Sequence, residues 1–264
     1  MSTKRRAQPS SKPTNNRLVR LYRFARSQGL ARAFYRFLHR LSECAAFRPW
    51  LRFTVVEVYR ARVVDLKQGG AVPRSLEIRK ATVEDEPAIA AYFEDEYLVR
   101  ERFRRGDTCM ITLAKEKVCA AVWFCSGPNQ YVEDWGALRS VFRTETGSAW
   151  SFNGKGTRMG AWGALMTRFP GLLAEEGNQE VYTLIDFDNL PSIEAHRSLG
   201  YQRAGLFACF SALGITLRLF RPDAGKWQFG SGHIGQVRFG GKRRESIGFI
   251  ARSLRLTPVR SRGE

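Results

Sequence analysis

The possible folds of this chain are limited first by a strand–helix–strand pattern in its second half. The apolar run at 181–185 is typical of a buried strand. Asn189 then offers an N-cap, and Pro191 stands in the first helical turn, where its missing N–H costs nothing. Gly200 is placed to end the helix, and Tyr201 begins another strand. The pattern predicts a β-α-β unit.

A second pattern, rich in small residues, lies upstream at 157–166. It predicts a turn that leads into an amphipathic helix. Small side chains let a phosphate approach the free N–H groups at a helix N-terminus. Taken alone, such a segment is more often only a turn, so its meaning depends on the pattern that follows it.

In this order the two patterns resemble the GCN5-related N-acetyltransferase (GNAT) superfamily. The family's acyl-CoA motif, R/Q-x-x-G-x-G/A, corresponds to residues 158–163, with Ala161 in place of the middle glycine. Its later motif ends in L-G-F/Y, and the matching residues are Asn189, Ser192, Leu199, Gly200 and Tyr201. The tyrosine of that motif falls on His196, which is a departure. The resemblance covers residues 75–220.

The resemblance implies an α+β fold, with a mixed and mostly antiparallel sheet flanked by helices. The acyltransferase domain would occupy residues 73–221, after a Gly-Gly-Ala-Val-Pro linker. Thr82 and Asp85 predict a capping box at its first helix. The other predicted segments are a disordered basic tail at 1–15, basic amphipathic helices with a strand extension at 16–72, and a basic Gly/Arg-rich tail at 222–264.

For the site, the resemblance implies acetyl-CoA or another acyl-CoA as cosubstrate. Its pyrophosphate would lie on backbone N–H groups at the start of the helix, flanked by Arg158. Its pantetheine arm would lie along a central strand that splays from its neighbour, and a bulky Trp150 or Trp162 near the thioester would favour acetyl. The residues expected at the cosubstrate are Trp150, Ser151, Phe152, Asn153, Arg158, Gly160, Ala161, Trp162, Gly163, Asn189 and Ser192. Asn189 could instead only cap its helix.

Acyl transfer to an amine needs a proton donor for the thiolate and a proton acceptor for the amine. His196 would be the donor, because imidazole and thiol pKa values of about 6.5 and 8.5 permit useful transfer. A packed, structural histidine is the alternative. The acceptor would be a carboxylate near a predicted strand end, and the candidates are Glu145, Glu133, Asp134 and Asp186. Chain order favours Asp186, although each could be a surface carboxylate.

Positive charge is concentrated at the two ends of the chain. Residues 1–50 hold 12 Lys and Arg against one Glu, and residues 221–264 hold 10 against three acidic residues. The formal net charge is +18, and the residues between these ends balance at 21 of each sign. The basic character therefore belongs to the ends, which favours a polyanionic surface over a free acidic substrate as their partner.

The segment at 17–41 has the arginine-rich polar face and Phe/Leu face of a helix that lies on an anionic membrane. The alternative is that its apolar face packs on the catalytic domain. Nucleic acid is a third option, although the chain lacks interleaved aromatic residues at a known recognition spacing.

Five cysteines without Cys-x-x-Cys spacing, and no signal peptide, predict a cytoplasmic protein. The basic helices add a peripheral position on the inner membrane as an option. No His/Cys/carboxylate cluster has metal-ligand spacing.

The sequence thus predicts a GNAT-type N-acetyltransferase that transfers acetyl to a primary amine. The alternative is a non-catalytic acyl-CoA-binding module or a membrane- or RNA-associated scaffold. The acceptor and the oligomeric state are left open.

Overall fold

The computed structural model of the protein describes most of the chain between residues 29 and 239. The described residues are 29–44, 51–70, 72–127, 130–135, 138–144, 146–212, 215–223, 225, 228–231 and 238–239. The predicted tail at 1–15, the first part of the predicted basic helices and most of the predicted tail at 222–264 lie outside these residues.

Helices and strands alternate along the described chain. The helices are α1 (Leu30–Glu43), α2 (Glu86–Phe93), α3 (Glu96–Arg105), α4 (Ala161–Glu175) and α5 (Leu190–Ser198). The strands are β1 (Leu51–Arg62), β2 (Glu77–Lys80), β3 (Thr108–Ala114), β4 (Lys117–Ser126), β5 (Gln130–Trp135), β6 (Leu138–Thr144), β7 (Ser148–Gly156), β8 (Glu180–Asp186), β9 (Gln202–Ala212), β10 (Ile215–Pro222), β11 (Gln228–Ser231) and β12 (Arg238–Phe239).

The main sheet has nine strands in the order β11-β10-β9-β1-β8-β7-β4-β3-β2. Its neighbours are antiparallel except for β7 and β8, which run parallel. A smaller sheet has the order β12-β6-β5. The predicted α+β class, with a mixed and mostly antiparallel sheet flanked by helices, is confirmed.

The core fills both faces of the main sheet. Helices α2 and α3 cover one face, where Ile89 and Val99 are packed against Trp123. Helices α4 and α5 cover the other face, where Phe169 and Ile193 belong to a second buried cluster. The strands between these layers are buried on both sides, which explains why β4 is an almost unbroken apolar run.

The predicted boundary at residue 73 does not separate two folding units. Strand β1, assigned from sequence to an extension, lies between β8 and β9 in the middle of the sheet. It pairs antiparallel with β8 from Val56 to Arg62, and with β9 from Leu51 to Arg60. Removing β1 would take one of two neighbours from both β8 and β9 and divide the sheet, so this segment is part of the domain.

The local turn chemistry at the start of α2 agrees with the sequence. Thr82 and Asp85 form the predicted capping box, in which the Asp85 carboxylate accepts a hydrogen bond from the Thr82 N–H at 2.8 Å. Arg79 donates to the same carboxylate at 2.6 and 2.7 Å. These hydrogen bonds, led by that from Arg79, lower the pKa of Asp85 to about 2. The cap fixes the direction in which α2 leaves β2.

Helix α1 packs on the face that carries α4 and α5, but not through its apolar face, which was the packing alternative left open by the sequence. Two of its arginines face the domain: Arg32 pairs with Glu57 at 3.1 Å, and Arg36 lies 3.5 Å from Asp188. Its apolar stripe points outward, with Leu30, Phe34 and Phe37 exposed by 80%, 63% and 52%. No helix in the described part of the chain is long and apolar enough to cross a bilayer.

Candidate functional site

The parallel strands β7 and β8 separate partway along their length. Their pairing ends at Ser151 and Thr183, although β7 continues to Gly156 and β8 to Asp186. Beyond that point β8 keeps its antiparallel partner β1, and β7 keeps β4. The sheet therefore contains the splayed parallel pair that the resemblance implies.

A cavity of about 400 Å³ occupies this fork. Its walls come from the separated ends of β7 and β8, from α4 and α5, and from α1 and β1. Its volume lies within the range of small-molecule sites, which is about 300–1,000 Å³. The fork is therefore large enough to hold the reacting part of a cosubstrate and an acceptor group.

A β-bulge shapes the β7 wall of the cavity. Between the pairs of β4 and β7 on either side of it, Val122 alone faces both Asn153 and Gly154. Asn153 has a φ of 49°, in the left-handed region that residues other than glycine enter at a cost. Bulges of this kind re-aim the backbone and often adjoin functional sites. The bulge bends β7 where its pairing with β8 has already ended.

The turn before α4 leaves backbone N–H groups open. Gly160 has a φ of 79°, and α4 begins at the next residue without a side-chain cap. Among the described residues, the N–H groups of Trp162 and Gly163 have no hydrogen-bond partner. A Cβ atom added at Gly160 or Gly163 would meet nothing within 4 Å. Open space therefore lies in front of the free N–H groups, as an anion site at a helix N-terminus requires.

The side chains around this turn leave that space clear. Met159 projects into solvent and is 98% exposed. Ala161 is fully buried beneath the turn, which explains why a small residue stands there. Arg158 is exposed and makes no ion pair within the described chain. The residues thus fit a diphosphate: two free N–H groups, a nearby guanidinium, and no side chain in the way.

The indole of Trp162 points back from α4 onto β7. A Cβ atom at Gly154 would lie 2.3 Å from the six-membered ring of this indole, and one at Gly156 would lie 2.8 Å from the Trp162 Cβ. Glycine is thus required at both positions because the indole fills the space of a side chain. Trp162 therefore forms a wall of the cavity and leaves the N-terminus of α4 open.

Most of the residues that the sequence predicts at the site surround the fork. Those that line the cavity are Ser151, Phe152, Asn153, Trp162, Asp186, Asn189, Ser192 and His196. Arg158, Gly160, Ala161 and Gly163 form the turn and the first helical residues of α4. The two motifs therefore meet at one place, on either side of the parallel strand pair.

Trp150 does not have the position expected of it near the thioester. Its side chain is fully buried, with its ring 5.4 Å from that of Tyr182 and 5.0 Å from that of Phe142. It belongs to the core on the α2 and α3 face and does not line the cavity. Trp162 is the tryptophan that borders the fork.

The structure describes the side chain of one of the four predicted carboxylates, Asp186, and this side chain lines the fork. Glu145 lies outside the described residues. Glu133 and Asp134 lie on β5, in the smaller sheet, whose strands pair with one another.

Asp186 stands at the last position of β8. Its side chain is exposed and lines the cavity. The protein around the cavity still removes part of the water from the carboxyl, and this desolvation raises its pKa above the usual value; the negative charge of Asp188 adds to the increase, and His39 opposes it. A carboxylate with a raised pKa is a better proton acceptor than one at the surface.

His196 is prepared to accept a proton and not to donate one. Its Nδ1 lies 2.7 Å from the carbonyl oxygen of Ser192, and since a carbonyl only accepts, Nδ1 carries the proton of this bond. Burial lowers the pKa of the imidazole, and the hydrogen bond to Ser192 opposes that effect. At neutral pH Nε2 therefore has no proton. This geometry argues against the predicted role of His196 as proton donor.

Asn189 has the capping role that the sequence predicts, and it also faces the cavity. Its Oδ1 accepts a hydrogen bond from the Ser192 N–H at 3.3 Å at the start of α5. The hydroxyl of Ser192 lies 3.4 Å from Nδ1 of His196. Helix α5 and its N-cap therefore present three polar side chains to the fork, those of Asn189, Ser192 and His196.

Nine described residues of the cavity were not predicted at the site, and two of them, His39 on α1 and Thr54 on β1, are polar residues that precede the segment that resembles the family. Neither belongs to a motif. The pairing of β1 with β8 brings Thr54 to the end of β8, and the contacts of α1 with Phe187 bring His39 there.

The remaining reactive side chains give no second centre in the described part of the chain. No group of three or more His, Cys, Asp or Glu residues there could hold a metal ion. Cys109, Cys119, Cys125 and Cys209 are buried thiols, and burial raises the pKa of each. Such thiols are packing residues, because the reactive form is the thiolate.

Comparison with known proteins gives structural neighbours at low sequence identity. The sequence matches no protein-family model and no curated protein. A functionally unknown conserved protein from Staphylococcus epidermidis is 9% identical, with a TM-score of 0.45 over 66% of each chain.

Two further neighbours are GCN5-related N-acetyltransferases. The protein from Sphaerobacter thermophilus is 13% identical, with a TM-score of 0.44 over 66% of this chain and 55% of that one. The protein from Kribbella flavida is 15% identical, with a TM-score of 0.41 over 71% of this chain and 65% of that one. The chain thus spans less than two thirds of the length of each neighbour, and the similarity is one of fold.

Proposed function

We propose that this protein is an acyl-CoA-dependent N-acyltransferase that transfers an acetyl group from acetyl-CoA directly to a primary amine. The observation that carries the proposal is the forked parallel pair β7–β8, with a cavity in the fork and an open helix N-terminus beside it. One elongated molecule that bears a diphosphate at one end and a thioester at the other could occupy both places.

The residues of the chain have distinct parts in holding this cosubstrate. The N–H groups of Trp162 and Gly163, with the guanidinium of Arg158, would hold the diphosphate. The bent end of β7, around Asn153, would hold the pantetheine arm and direct backbone N–H groups at the thioester oxygen, where negative charge develops. Acetyl-CoA supplies the activated acyl group. The Trp162 indole narrows the cavity and favours a short acyl chain.

The charged side of the cavity suits a cationic acceptor. An amine with a pKa near 10.4 is protonated at neutral pH and would be attracted by the Asp186 carboxylate. Because Nε2 of His196 is unprotonated, the thiolate would take its proton from water or from the hydroxyl of Ser192, which also lines the cavity. His196 would then orient Ser192 or the bound water.

A second candidate function is a module that binds acyl-CoA without transferring the acyl group. The unprotonated Nε2 of His196 favours it, because the residue in the place of the family's tyrosine lacks a proton to give. Release of CoA from acetyl-CoA in the presence of a panel of amines separates the two. Binding without release on every acceptor would establish the module.

The open N-terminus of α4 is tested by Gly163→Glu. The new carboxylate would lie in the open space where the diphosphate is proposed, so we expect the affinity for acetyl-CoA to fall by about tenfold or more. Isothermal titration calorimetry of the full chain measures this directly.

Gly171→Glu is the matched control. It places the same side chain in the same helix, at a position where an added Cβ also meets nothing within 4 Å, but two turns away from the N-terminus. We expect its affinity to stay within about twofold of the unaltered protein, since its charge lies beyond a Debye length of roughly 10 Å at 0.1 M salt. Equal affinities for all three proteins would remove the cosubstrate site from this turn.

We further propose that α1 attaches the protein to an anionic membrane surface. Its outward stripe of Leu30, Phe34 and Phe37 is available because the arginines on its other side are engaged with Glu57 and Asp188. A contiguous apolar stripe on a surface helix is typical of an interfacial contact. The basic residues upstream, at 17–26, would add attraction to anionic headgroups.

Sedimentation with vesicles of phosphatidylserine and phosphatidylcholine tests this attachment. We expect the double variant Phe34→Ser/Phe37→Ser to bind about tenfold or more weakly, because two partly inserted phenyl rings are lost. Tyr97→Ser, which removes an even more exposed ring from α3, should bind as the unaltered protein does. Unchanged binding of the double variant, or a salt-sensitive preference for RNA over vesicles, would refute the proposal.

A further inference from the structure

Helix α1 is fixed against the end of β8 by buried contacts. Arg32 donates to the Phe187 carbonyl at 2.8 Å and to the Glu57 carboxylate at 3.1 Å. One turn along, Tyr35 is almost fully buried, with its ring 5.6 Å from Phe187 and 5.7 Å from Phe53. These contacts determine where the next turn of the helix lies.

That next turn places His39 at the cavity. Its ring lies 5.6 Å from that of Tyr35, and its side chain lines the fork together with Asp186 and Thr54. His39 is close enough to Asp186 for their attraction to lower the pKa of the carboxyl, against the larger effect of burial. Helix α1 therefore brings a titratable nitrogen to the carboxylate that the acceptor would meet.

We propose that His39 accepts the proton of the acceptor's ammonium group while Asp186 holds that group in the fork. The inference rests on the proposed function and deepens it, because it assigns the base to an element outside the segment that resembles the family. Asp186 would be the binding carboxylate, and the substrate class is a protonated alkylamine.

The proton balance of this step is complete. A ring nitrogen of neutral His39 takes one proton from R–NH₃⁺, and the freed nitrogen lone pair forms the C–N bond at the thioester carbon. The C–S bond breaks, and the departing thiolate takes a proton from water or the Ser192 hydroxyl, which is replaced by the second N–H proton of the amine. His39 then returns its proton to solvent. The products are the amide, the thiol and one released proton.

Several charged and titratable groups surround His39 and would shape its pH response. Tyr35 lies on its own helix, Asp186 and Asp188 lie at the end of β8, and His196 faces the same cavity from α5. Arg36 pairs with Asp188 and reduces the negative charge near the imidazole. Among the described residues, the titratable groups that line the cavity are thus one carboxylate, Asp186, and two imidazoles.

The test compares His39→Gln with the unaltered full chain in two assays. Calorimetry with acetyl-CoA reports the cosubstrate site, and CoA release reports transfer to propylamine or to hydroxylamine, a nucleophile already unprotonated at neutral pH. We expect His39→Gln to bind acetyl-CoA within twofold, and to lose about 100-fold of its kcat/KM for propylamine at pH 7. The rate of propylamine acylation by His39→Gln should then rise about tenfold per pH unit. Its rate of transfer to hydroxylamine should stay close to that of the unaltered protein.

Arg40→Gln is the control, since it alters the exposed neighbour of His39 on the same helix. Its rates should match those of the unaltered protein. Equal losses with both nucleophiles at every pH would show a structural role and overturn the proposal, as would a variant as active as the parent. Acetyl-CoA binding without transfer to either nucleophile in the parent would overturn this proposal and favour the binding module over the transferase. Absent acetyl-CoA binding would refute both functions.

Discussion

Replacing Trp150 with alanine is expected to lower the free energy of unfolding by about 4 kcal/mol. The side chain has no exposed surface, and it fills the centre of an aromatic group with Phe142 and Tyr182. Alanine would lose the transfer free energy of the indole and leave a cavity that the surrounding strands cannot close. Urea denaturation followed by circular dichroism measures the change.

Trp162→Ala is the informative comparison, because it removes the same side chain from the wall of the fork. That indole is only partly buried, so we expect a loss of about 2 kcal/mol or less. Its removal should instead enlarge the cavity and raise transfer from longer acyl-CoA donors relative to acetyl-CoA. A larger loss of stability for Trp162→Ala than for Trp150→Ala would mean that the two tryptophans have been assigned to the wrong environments.

The two tryptophans also show where sequence reasoning reached its limit. Both are near a predicted strand or turn, and both were expected beside the thioester. On a regular strand, alternation would decide which side chains face the cavity, but the bulge at Asn153 breaks that alternation. The bulge depends on pairing with β4, which the local sequence does not encode.

Features that depend on neighbouring residues were predicted well. The N-cap at Asn189 and the capping box at Thr82 and Asp85 each depend on a few consecutive residues. Their chemistry is local, since a side chain satisfies an N–H group two or three positions away. The sequence therefore contained enough information to place both motifs at the fork.

Features that depend on distant partners were missed. The insertion of β1 between β8 and β9 joins residues more than a hundred positions apart, and no local pattern indicates it. The sequence left the direction of α1 open for the same reason. The packing alternative, in which an amphipathic helix buries its apolar face, does not hold, because Glu57 and Asp188 hold Arg32 and Arg36 inward.

The pair of Arg32 and Glu57 should therefore be a major determinant of stability. We expect Arg32→Met to lower the free energy of unfolding by about 3 kcal/mol, because Glu57 is only 2% exposed and would keep a poorly compensated charge. The Tyr59 hydroxyl would still donate to it at 2.6 Å, and Arg203 would remain 3.7 Å away. Methionine keeps an apolar side chain of similar length, but it loses the cation–π contact that the guanidinium makes 4.9 Å above the Phe187 ring.

A double-mutant cycle measures how much the charge interaction between Arg32 and Glu57 contributes to stability. Glu57→Gln keeps an acceptor for Tyr59 while removing the carboxylate, so the double variant Arg32→Met/Glu57→Gln should recover part of the lost stability. Arg36→Met is the matched control: its partner Asp188 is half-buried, and we expect a loss of about 1 kcal/mol or less. Additive losses in the cycle would mean that Arg32 and Glu57 do not interact.

The Arg32→Met variant also links the fold to the proposed chemistry. Arg32 fixes α1, and α1 carries His39 to the fork, so Arg32→Met should reduce CoA release even at temperatures where the protein stays folded. Acetyl-CoA affinity should persist, since the N-terminus of α4 does not touch α1. If both affinity and turnover are retained, helix α1 is not needed for transfer, and the proton acceptor must lie within the segment from β2 to β10.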